Sequence, residues 1–248
     1  MIGLDRPLKP EWIYRLLNMI EPGTPASDYY QAFNDIAQEL VGKEGKRKVR
    51  TIIFRSFIYS MQTSANFIEA NPFITWAQTR SLPDLKPLLL AKILMDYSVT
   101  RFITQKISQN VNGDNRFSSS ILQKKMVQEY GDRDVVKRSV RSFLRTLHHF
   151  GILSPLDPQT FVLGKKIAIT DDQLRDFLIL YGRYHLYTST IDLSHIDASL
   201  LFYFDKIDVE RVARKYHQHE WEYIRDEGRR VLMLAANSNI QKRSAGDD

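Results

Sequence analysis

Residues 117–170 decide the fold of this chain, and they read FSSSILQKKMVQEYGDRDVVKRSVRSFLRTLHHFGILSPLDPQTFVLGKKIAIT. A serine cluster opens a first helix that Gly131 ends. A second helix, capped by Asp132 or Asp134, runs to about Phe150. Two short predicted β-strands follow, joined by a Pro/Asp/Gly-containing turn. Helix, tight turn, helix and hairpin is the outline of a winged helix-turn-helix.

The second helix is predicted to be amphipathic. Its apolar residues recur at helical spacing and form one stripe: Val136, Val140, Phe143, Leu144 and Leu147. Its cations fall mostly off that stripe: Arg133 at the entrance, then Lys137, Arg138, Arg141 and Arg145. Such a helix can dock by one face and offer the other to a DNA major groove. A solvated surface, or a protein-interaction module, remains the alternative interpretation.

The composition indicates a folded globular chain. Its 248 residues, 43% hydrophobic and 11% aromatic, suffice for one large domain or two to three small ones. The absence of cysteine excludes disulfides, cysteine-ligated zinc, iron–sulfur clusters and a cysteine nucleophile. The N-terminus lacks a secretory pattern, and no apolar stretch approaches the roughly 18 residues of a membrane span. We therefore expect a cytoplasmic protein with no membrane partner.

The positive charge is concentrated in two segments. The net charge is +6, but residues 43–55 alone carry six basic residues against one acid, and residues 118–150 carry seven against three. These balances of +5 and +4 leave the remainder of the chain at about −3. Two basic concentrations on a slightly acidic chain favour a polyanionic partner. The second segment also contributes Lys124 and Lys125 as candidate DNA contacts.

The first basic segment is predicted to be a loop, residues 42–50, that feeds a helix N-terminus. Its candidate phosphate-binding cations are Lys43, Lys46, Arg47, Lys48 and Arg50. Helix N-termini attract phosphate through their free N–H groups. The spacing GKEGKRK is not that of a Walker A motif, so nucleotide hydrolysis is not indicated. A clamp on a nucleic-acid backbone and a plain solvated charge run both stay open.

The remaining chain is predicted to be almost entirely helical. We expect helices over residues 10–20, 27–42 and 49–64, and one long helix over 83–111, the first of the winged-helix unit. Lys165 and Lys166 would lie on or near the wing and contact the DNA backbone. After residue 170 we expect helices capped by Asp171, Ser194 and Asp208, then a hairpin that turns at residues 226–228.

This pattern predicts a mainly α protein. We assign residues 1–80 to an N-terminal helical bundle and 81–170 to the winged helix-turn-helix. Residues 171–236 form a C-terminal helical unit, for which a second, more divergent winged helix is one interpretation. Residues 237–248 are expected to be a disordered tail.

No catalytic or metal site is predicted. His217 and His219 are two residues apart, a spacing at which helical side chains point in different directions, and no HExxH sequence occurs. No Gly-x-Ser-x-Gly elbow is present. Adjacent acids such as Asp171 and Asp172 more often serve as helix caps than as magnesium ligands. We therefore expect a protein that is not an enzyme and needs no cofactor.

Three sequence segments resemble those of the BrxA family, the small helical DNA-binding proteins of BREX phage-defence operons. They are KPEWIYRLLNMIEPG at residues 9–23, GKRKVRTIIFRSFI at 45–58, and RDVVKRSVRSFLRTLHHFGIL at 133–153. The resemblance covers about the first 190 residues. It implies a non-enzymatic double-stranded DNA-binding component of a multi-protein defence system. An adaptor that binds other subunits, or a transcriptional regulator, is the alternative.

Overall fold

The computed structural model describes residues 4–62 and 66–235, and it is mainly helical. Eleven α-helices lie in this described part of the chain: α1 (Pro10–Met19), α2 (Tyr30–Ile36), α3 (Lys43–Phe57), α4 (Pro72–Thr79), α5 (Leu82–Asp96), α6 (Ser98–Asn110), α7 (Ser119–Tyr130), α8 (Asp134–His149), α9 (Asp171–Leu180), α10 (Ala198–Leu201) and α11 (Val209–Lys215). None of the helices described is both long and apolar enough to cross a membrane. The predicted tail, residues 237–248, lies outside the described residues.

Eight short strands accompany the helices within the same described ranges: β1 (Arg116–Ser118), β2 (Leu153–Pro155), β3 (Thr160–Leu163), β4 (Ile167–Ala168), β5 (Thr190–Asp192), β6 (Phe204–Asp205), β7 (Trp221–Asp226) and β8 (Arg229–Leu234). They form two three-stranded antiparallel sheets, ordered β1-β3-β2 and β5-β8-β7, and one parallel pair, β4-β6. Each antiparallel sheet therefore combines a hairpin with one strand from earlier in the chain.

The described chain divides into two compact units. Unit 1 contains the described residues up to Ala168 together with Ser199–Asp205. Unit 2 contains Ile169–Ala198 and the described residues from Lys206 onward. The segment assigned to a helical bundle, 1–80, and the segment assigned to a winged helix, 81–170, therefore lie in the same unit. Only residues 169 and 170 of the second segment belong to unit 2.

Helix α5 forms the centre of unit 1. Every residue from Leu88 to Met95 is buried, as expected for a helix that is surrounded by protein on all sides. Helices α1, α3, α4 and α6 all pack against it. Burial of each large apolar side chain stabilises the fold by roughly 1.5–3 kcal/mol, so this helix is a main source of unit 1's stability.

Two predictions in the N-terminal region are wrong. The helix predicted over residues 27–42 ends as α2 at Ile36, because the next residues turn so that the Glu39 carboxylate can accept hydrogen bonds from Lys9 and Trp12. The loop predicted over 42–50 is instead the first two turns of α3. Lys, Arg and Glu are good helix formers, and an i,i+3 ion pair between Glu44 and Arg47 supports this turn.

The single helix predicted over residues 83–111 is also wrong. The chain breaks at Tyr97, whose backbone is extended (φ −117°, ψ 98°) between α5 and α6. The Tyr97 hydroxyl accepts a hydrogen bond from Arg55 at 2.7 Å and lies 3.2 Å from the Ser56 hydroxyl. These tertiary contacts with α3 hold the break, which no proline or glycine marks in the sequence.

The two helices and the hairpin predicted in the central segment are present. Helix α7 ends at Gly131, where φ is +83°, and α8 ends before Phe150. Antiparallel β2 and β3 form the predicted hairpin. Neither predicted aspartate caps α8, because Arg133 occupies the capping position and Asp132 pairs with Lys137 instead. Strand β1, which pairs with β3, was not predicted; its last residue, Ser118, belongs to the serine cluster that is predicted to open a helix.

Unit 2 departs further from its prediction. Thr170, rather than Asp171, caps α9 through a reciprocal capping box with Gln173. The helix predicted from Ser194 to Phe204 is replaced by two short helical pieces, at 193–195 and 198–201, and the short strand β6. The Asp208 cap of α11 is confirmed.

The predicted hairpin of unit 2 is also confirmed. Strands β7 and β8 turn at Glu227 and Gly228, both at positive φ, as a tight two-residue hairpin turn requires. The unit's core includes Phe177, Ile191 and Trp221, all buried.

Candidate nucleic-acid interface

Helix α8 has one buried and one cationic face. The five apolar residues predicted to form a stripe are all at most 1% exposed: Val136, Val140, Phe143, Leu144 and Leu147. Three arginines, Arg138, Arg141 and Arg145, are exposed, and Lys137 is half-buried. At 3.6 residues per turn these four cations fall within a sector of about 100°, whose centre lies about 120° around the helix from the centre of the apolar stripe. The predicted separation of the two faces is confirmed.

The buried face fixes how α8 is held in unit 1. It packs against α6, α7 and β2. The Thr146 hydroxyl accepts a buried hydrogen bond from the backbone N–H of Leu8 at 3.0 Å. The ring of Phe143 meets Tyr203 edge-on, and the His148 imidazole contacts the Leu153 carbonyl at 2.9 Å. These contacts hold the cationic face on a rigid support.

The three exposed arginines have no partner among the residues that the structure describes. Arg138, Arg141 and Arg145 form no hydrogen bond or ion pair with any residue in the described part of the chain. Each guanidinium presents five N–H donors in a planar fork that matches the oxygens of a phosphate or carboxylate. From Arg138 to Arg145 the row extends about 10 Å along the helix axis. The face therefore offers a short line of accessible anion-binding groups.

Two more predicted residues frame the turn before α8. Arg133 donates a hydrogen bond to the Tyr130 carbonyl at 2.8 Å. Lys137 pairs with Asp132 at 2.6 Å, and this hydrogen bond raises the pKa of the lysine. The lysine side chain is 39% and the aspartate side chain 66% exposed, so solvent screens the pair, which contributes little to stability and can open in favour of another anion.

The predicted lysines on α7 differ in their environment. Lys124 is exposed, whereas Lys125 is half-buried and donates a hydrogen bond to Asn110 at 3.3 Å. Because α7 packs directly against α8, Lys124 belongs to the same helix pair as the cationic face.

Lys165 and Lys166 lie near the hairpin but not on it. Both are exposed in the link between β3 and β4, and the Lys166 ammonium lies 5.2 Å from the ring of Phe202. The hairpin tip, residues 156–159, carries no cation; Asp157 closes it by accepting hydrogen bonds from the backbone of Gln159 and Thr160. The tip itself is therefore not a source of positive charge.

The N-terminal basic segment is partly used within the fold. Arg47 pairs with Glu44 at 2.8 Å, Lys46 donates to the Asn34 carbonyl at 3.1 Å, and the Arg50 guanidinium stacks 3.8 Å from the Tyr30 ring. Of the five predicted cations, only Lys43 and Lys48 make no hydrogen bond or ion pair with described residues. Helix α3 packs on α2 and α5, so its neighbours are not those of α8.

One exposed cation of this region was not predicted from the sequence. Arg116 opens β1, is exposed, and forms no side-chain hydrogen bond or ion pair within the described chain. A three-residue strand is too short to show an alternating pattern, so only the turn at residues 112–115 could have indicated it.

The two units differ in charge. Residues 1–168 and 199–205 contain 24 basic and 16 acidic residues, a balance of +8, whereas residues 169–198 and 206–248 contain 11 and 13, a balance of −2. The net positive charge of the protein thus belongs to the unit that carries α8.

Potential metal ligands are scattered. Among residues 4–62 and 66–235, no group of three or more His, Asp or Glu residues is arranged to hold a metal ion. His217 has a role within the fold, since its Nδ1 accepts a hydrogen bond from the Tyr223 backbone N–H at 2.9 Å.

Comparisons with protein-family models, curated proteins and solved structures found no match. The resemblance to the BrxA family therefore stays a prediction from the three sequence segments that carry it.

Proposed function

We propose that this protein binds double-stranded DNA through the cationic face of α8 and has no catalytic role. The observation that carries the proposal is the row of three exposed arginines, Arg138, Arg141 and Arg145, none of which is paired within the described chain. A binding face for a polyanion needs such accessible charge, because contacts with phosphates supply most of the affinity of DNA-binding proteins.

The element order around α8 supports a winged helix-turn-helix. Helix α6, strand β1, the helix pair α7–α8 and the hairpin β2–β3 follow one another, and the sheet order is β1-β3-β2. In this interpretation α8 is the recognition helix. A helix about 10–12 Å across fits the roughly 12 Å width of the major groove.

Each cation then has an expected role. Arg138, Arg141 and Arg145 contact phosphates or the edges of guanine bases, for which a bidentate guanidinium is well suited. Lys124, Arg133 and Lys137 contact the backbone beside the groove. Arg116, Lys165, Lys166 and the basic residues of α3 (Lys43 and Lys48 foremost, with Lys46, Arg47 and Arg50) add further backbone contacts. Lys125 contributes least, because it is half-buried and hydrogen-bonded.

A charge-reversal experiment tests the proposal. The double variant Arg138→Glu/Arg141→Glu is expected to abolish DNA binding while its thermal unfolding stays close to that of the parent, because both side chains are exposed. Arg15→Glu is the matched control, since Arg15 is an exposed cation on α1; it is compared with Arg141→Glu alone. Equal affinity of the Arg141 variant and the parent would overturn the role of α8.

The biological setting is proposed on the resemblance alone. A BREX-type phage-defence system in the cytoplasm would use such a protein as one DNA-binding component among several subunits. A transcriptional regulator would instead need a dimer that matches a palindromic site, so molar mass in solution separates these two settings.

A protein-protein adaptor is the second candidate function. It is favoured by Leu186 and Tyr187 in unit 2, which are 42% and 76% exposed. Tyr187 also has a left-handed backbone (φ +53°) that few residues other than glycine adopt, at the end of a π-helical turn. Co-purification of a partner that Tyr187→Ala releases, with no salt-dependent DNA affinity, would establish this function in place of DNA binding.

A further inference from the structure

Residues 171–234 repeat the order of helices and strands found around α8. In the first copy a helix (α6), a strand (β1), two helices (α7 and α8) and a hairpin (β2–β3) follow in sequence. In the second copy the order is α9, β5, the short α10, α11 and the hairpin β7–β8, with the additional short strand β6 between α10 and α11. In both sheets the early strand pairs antiparallel with the second strand of the hairpin, giving the orders β1-β3-β2 and β5-β8-β7. By position in this repeat, α11 corresponds to α8.

Three arginines converge on one carboxylate between α11 and its hairpin. Arg214 on α11, Arg225 on β7 and Arg230 on β8 all contact Glu210; the Arg225 and Arg230 guanidinium nitrogens lie 3.3 and 3.1 Å from its oxygens. Arg225 and Arg230 are directly opposite each other in the ladder, a placement that like charges normally disfavour. We refer to Glu210, Arg214, Arg225 and Arg230 as the arginine cluster.

The arginine cluster carries an excess of two positive charges. The arginine side chains are 46–60% exposed, whereas Glu210 is only 26% exposed. One carboxylate can accept only a few of the 15 N–H donors that three guanidinium groups offer, so donors remain for a ligand. The remaining donors are held in place because each arginine is already anchored to the same glutamate.

We propose that the arginine cluster is a second phosphate-contacting surface of this protein, which binds the phosphodiester backbone of DNA. The inference rests on the proposed function. One feature favours a phosphodiester over an acidic protein surface: the cluster occupies the position in the repeat that corresponds to α8 and its hairpin. Its three cations are all arginines, whose planar forks match phosphate oxygens as well as carboxylate oxygens. Arg229, at the turn end of β8, adds a further exposed cation, whose side chain makes no hydrogen bond or ion pair within residues 4–62 and 66–235.

Glu210 has a defined effect in this interpretation. Its carboxylate bridges the two opposed arginines of the hairpin, and it would also compete with phosphate for the same donors. Replacement of Glu210 by glutamine should therefore leave three arginines free for DNA and tighten binding, an effect that a purely structural ion-pair cluster would not produce.

Glu222 provides the matched control for this variant. It lies on the same strand as Arg225 but three residues away, so its side chain is on the opposite face of the sheet, and it is exposed. Glu210→Gln and Glu222→Gln make the same change in net charge, and only the first alters the arginine cluster.

The experiment measures the affinity of the full chain for a duplex DNA by fluorescence anisotropy over a range of salt concentrations. Arg225→Ala/Arg230→Ala is expected to weaken binding at least about tenfold at 0.1 M salt and to reduce the log–log slope by about 1–2. Glu210→Gln is expected to bind DNA more tightly than Glu222→Gln. Thermal unfolding of each variant establishes that it is folded; if the double arginine variant is not, the comparison of Glu210→Gln with Glu222→Gln decides.

The outcomes separate this inference from the proposed function. In one outcome Arg138→Glu/Arg141→Glu abolishes binding, the hairpin variant Arg225→Ala/Arg230→Ala binds like the parent, and Glu210→Gln binds like Glu222→Gln. This outcome overturns the second surface and supports the role of α8. If only the hairpin variant loses affinity, the role of α8 fails and the arginine cluster stands. A parent chain that does not bind DNA at low salt overturns both.

Discussion

Lys92 and Asp96 form an ion pair of 2.5 Å within α5, the buried helix at the centre of unit 1. The lysine side chain is 1% exposed and the aspartate 19%. Burial lowers the pKa of Lys92 and raises that of Asp96, in each case against the attraction of the partner. The pair therefore costs desolvation energy, and its two charges depend on each other.

Removal of one partner should destabilise unit 1 strongly. Asp96→Asn leaves a buried lysine without its counter-ion, and we expect a loss of about 3 kcal/mol in the free energy of unfolding, the lower end of the range for such pairs. The double variant Lys92→Met/Asp96→Asn should lie within about 1 kcal/mol of the parent, because no uncompensated charge remains. Urea unfolding measures both; equal losses in the single and double variants would contradict this account.

The capping box of α9 should contribute measurably to the stability of unit 2. The Thr170 hydroxyl accepts the Gln173 backbone N–H at 3.2 Å, and the Gln173 side chain accepts the Thr170 N–H at 2.8 Å. Thr170→Ala is expected to cost about 1 kcal/mol, whereas Thr170→Ser should retain most of the stability. Hydrogen exchange of the α9 amides is the measurement, and unchanged protection in the alanine variant would refute the role of the cap.

His149 should make the protein less stable in mild acid. Burial lowers the pKa of this histidine, and the nearby Lys9 and Arg145 lower it further. The unfolded chain then binds more protons than the folded chain below pH 6.5, so stability falls as the pH drops through that value toward the folded pKa. His149→Gln should flatten the unfolding free energy between about pH 7 and pH 5.5 relative to the parent. An identical pH dependence in the two proteins would rule out His149 as the cause.

The sequence was most informative where one pattern decides the structure. Helix α8 could be predicted almost residue by residue, because an apolar stripe at helical spacing fixes both its buried face and the exposure of its arginines. The ends of α7 and α8 could also be predicted, because Gly131 and Gly151 follow these helices and adopt positive φ.

Tertiary contacts decided what the sequence could not predict. The break at Tyr97 depends on hydrogen bonds with Arg55 and Ser56 on another helix. Strand β1 is only three residues long and exists because β3 pairs with it. The arginine cluster around Glu210 joins residues from α11, β7 and β8. The charges along α11 alone therefore underestimate the positive charge of this surface.

The salt dependence of DNA binding tests the central claim most directly. If α8 and its neighbours neutralise about six phosphates, the logarithm of the association constant should fall with the logarithm of salt concentration with a slope near −5. The measurement uses the parent chain and a random-sequence duplex between about 50 and 200 mM salt, with Arg141→Ala expected to reduce the slope by about 1. A flat response, or no binding at the lowest salt, would contradict the proposal that this protein binds DNA.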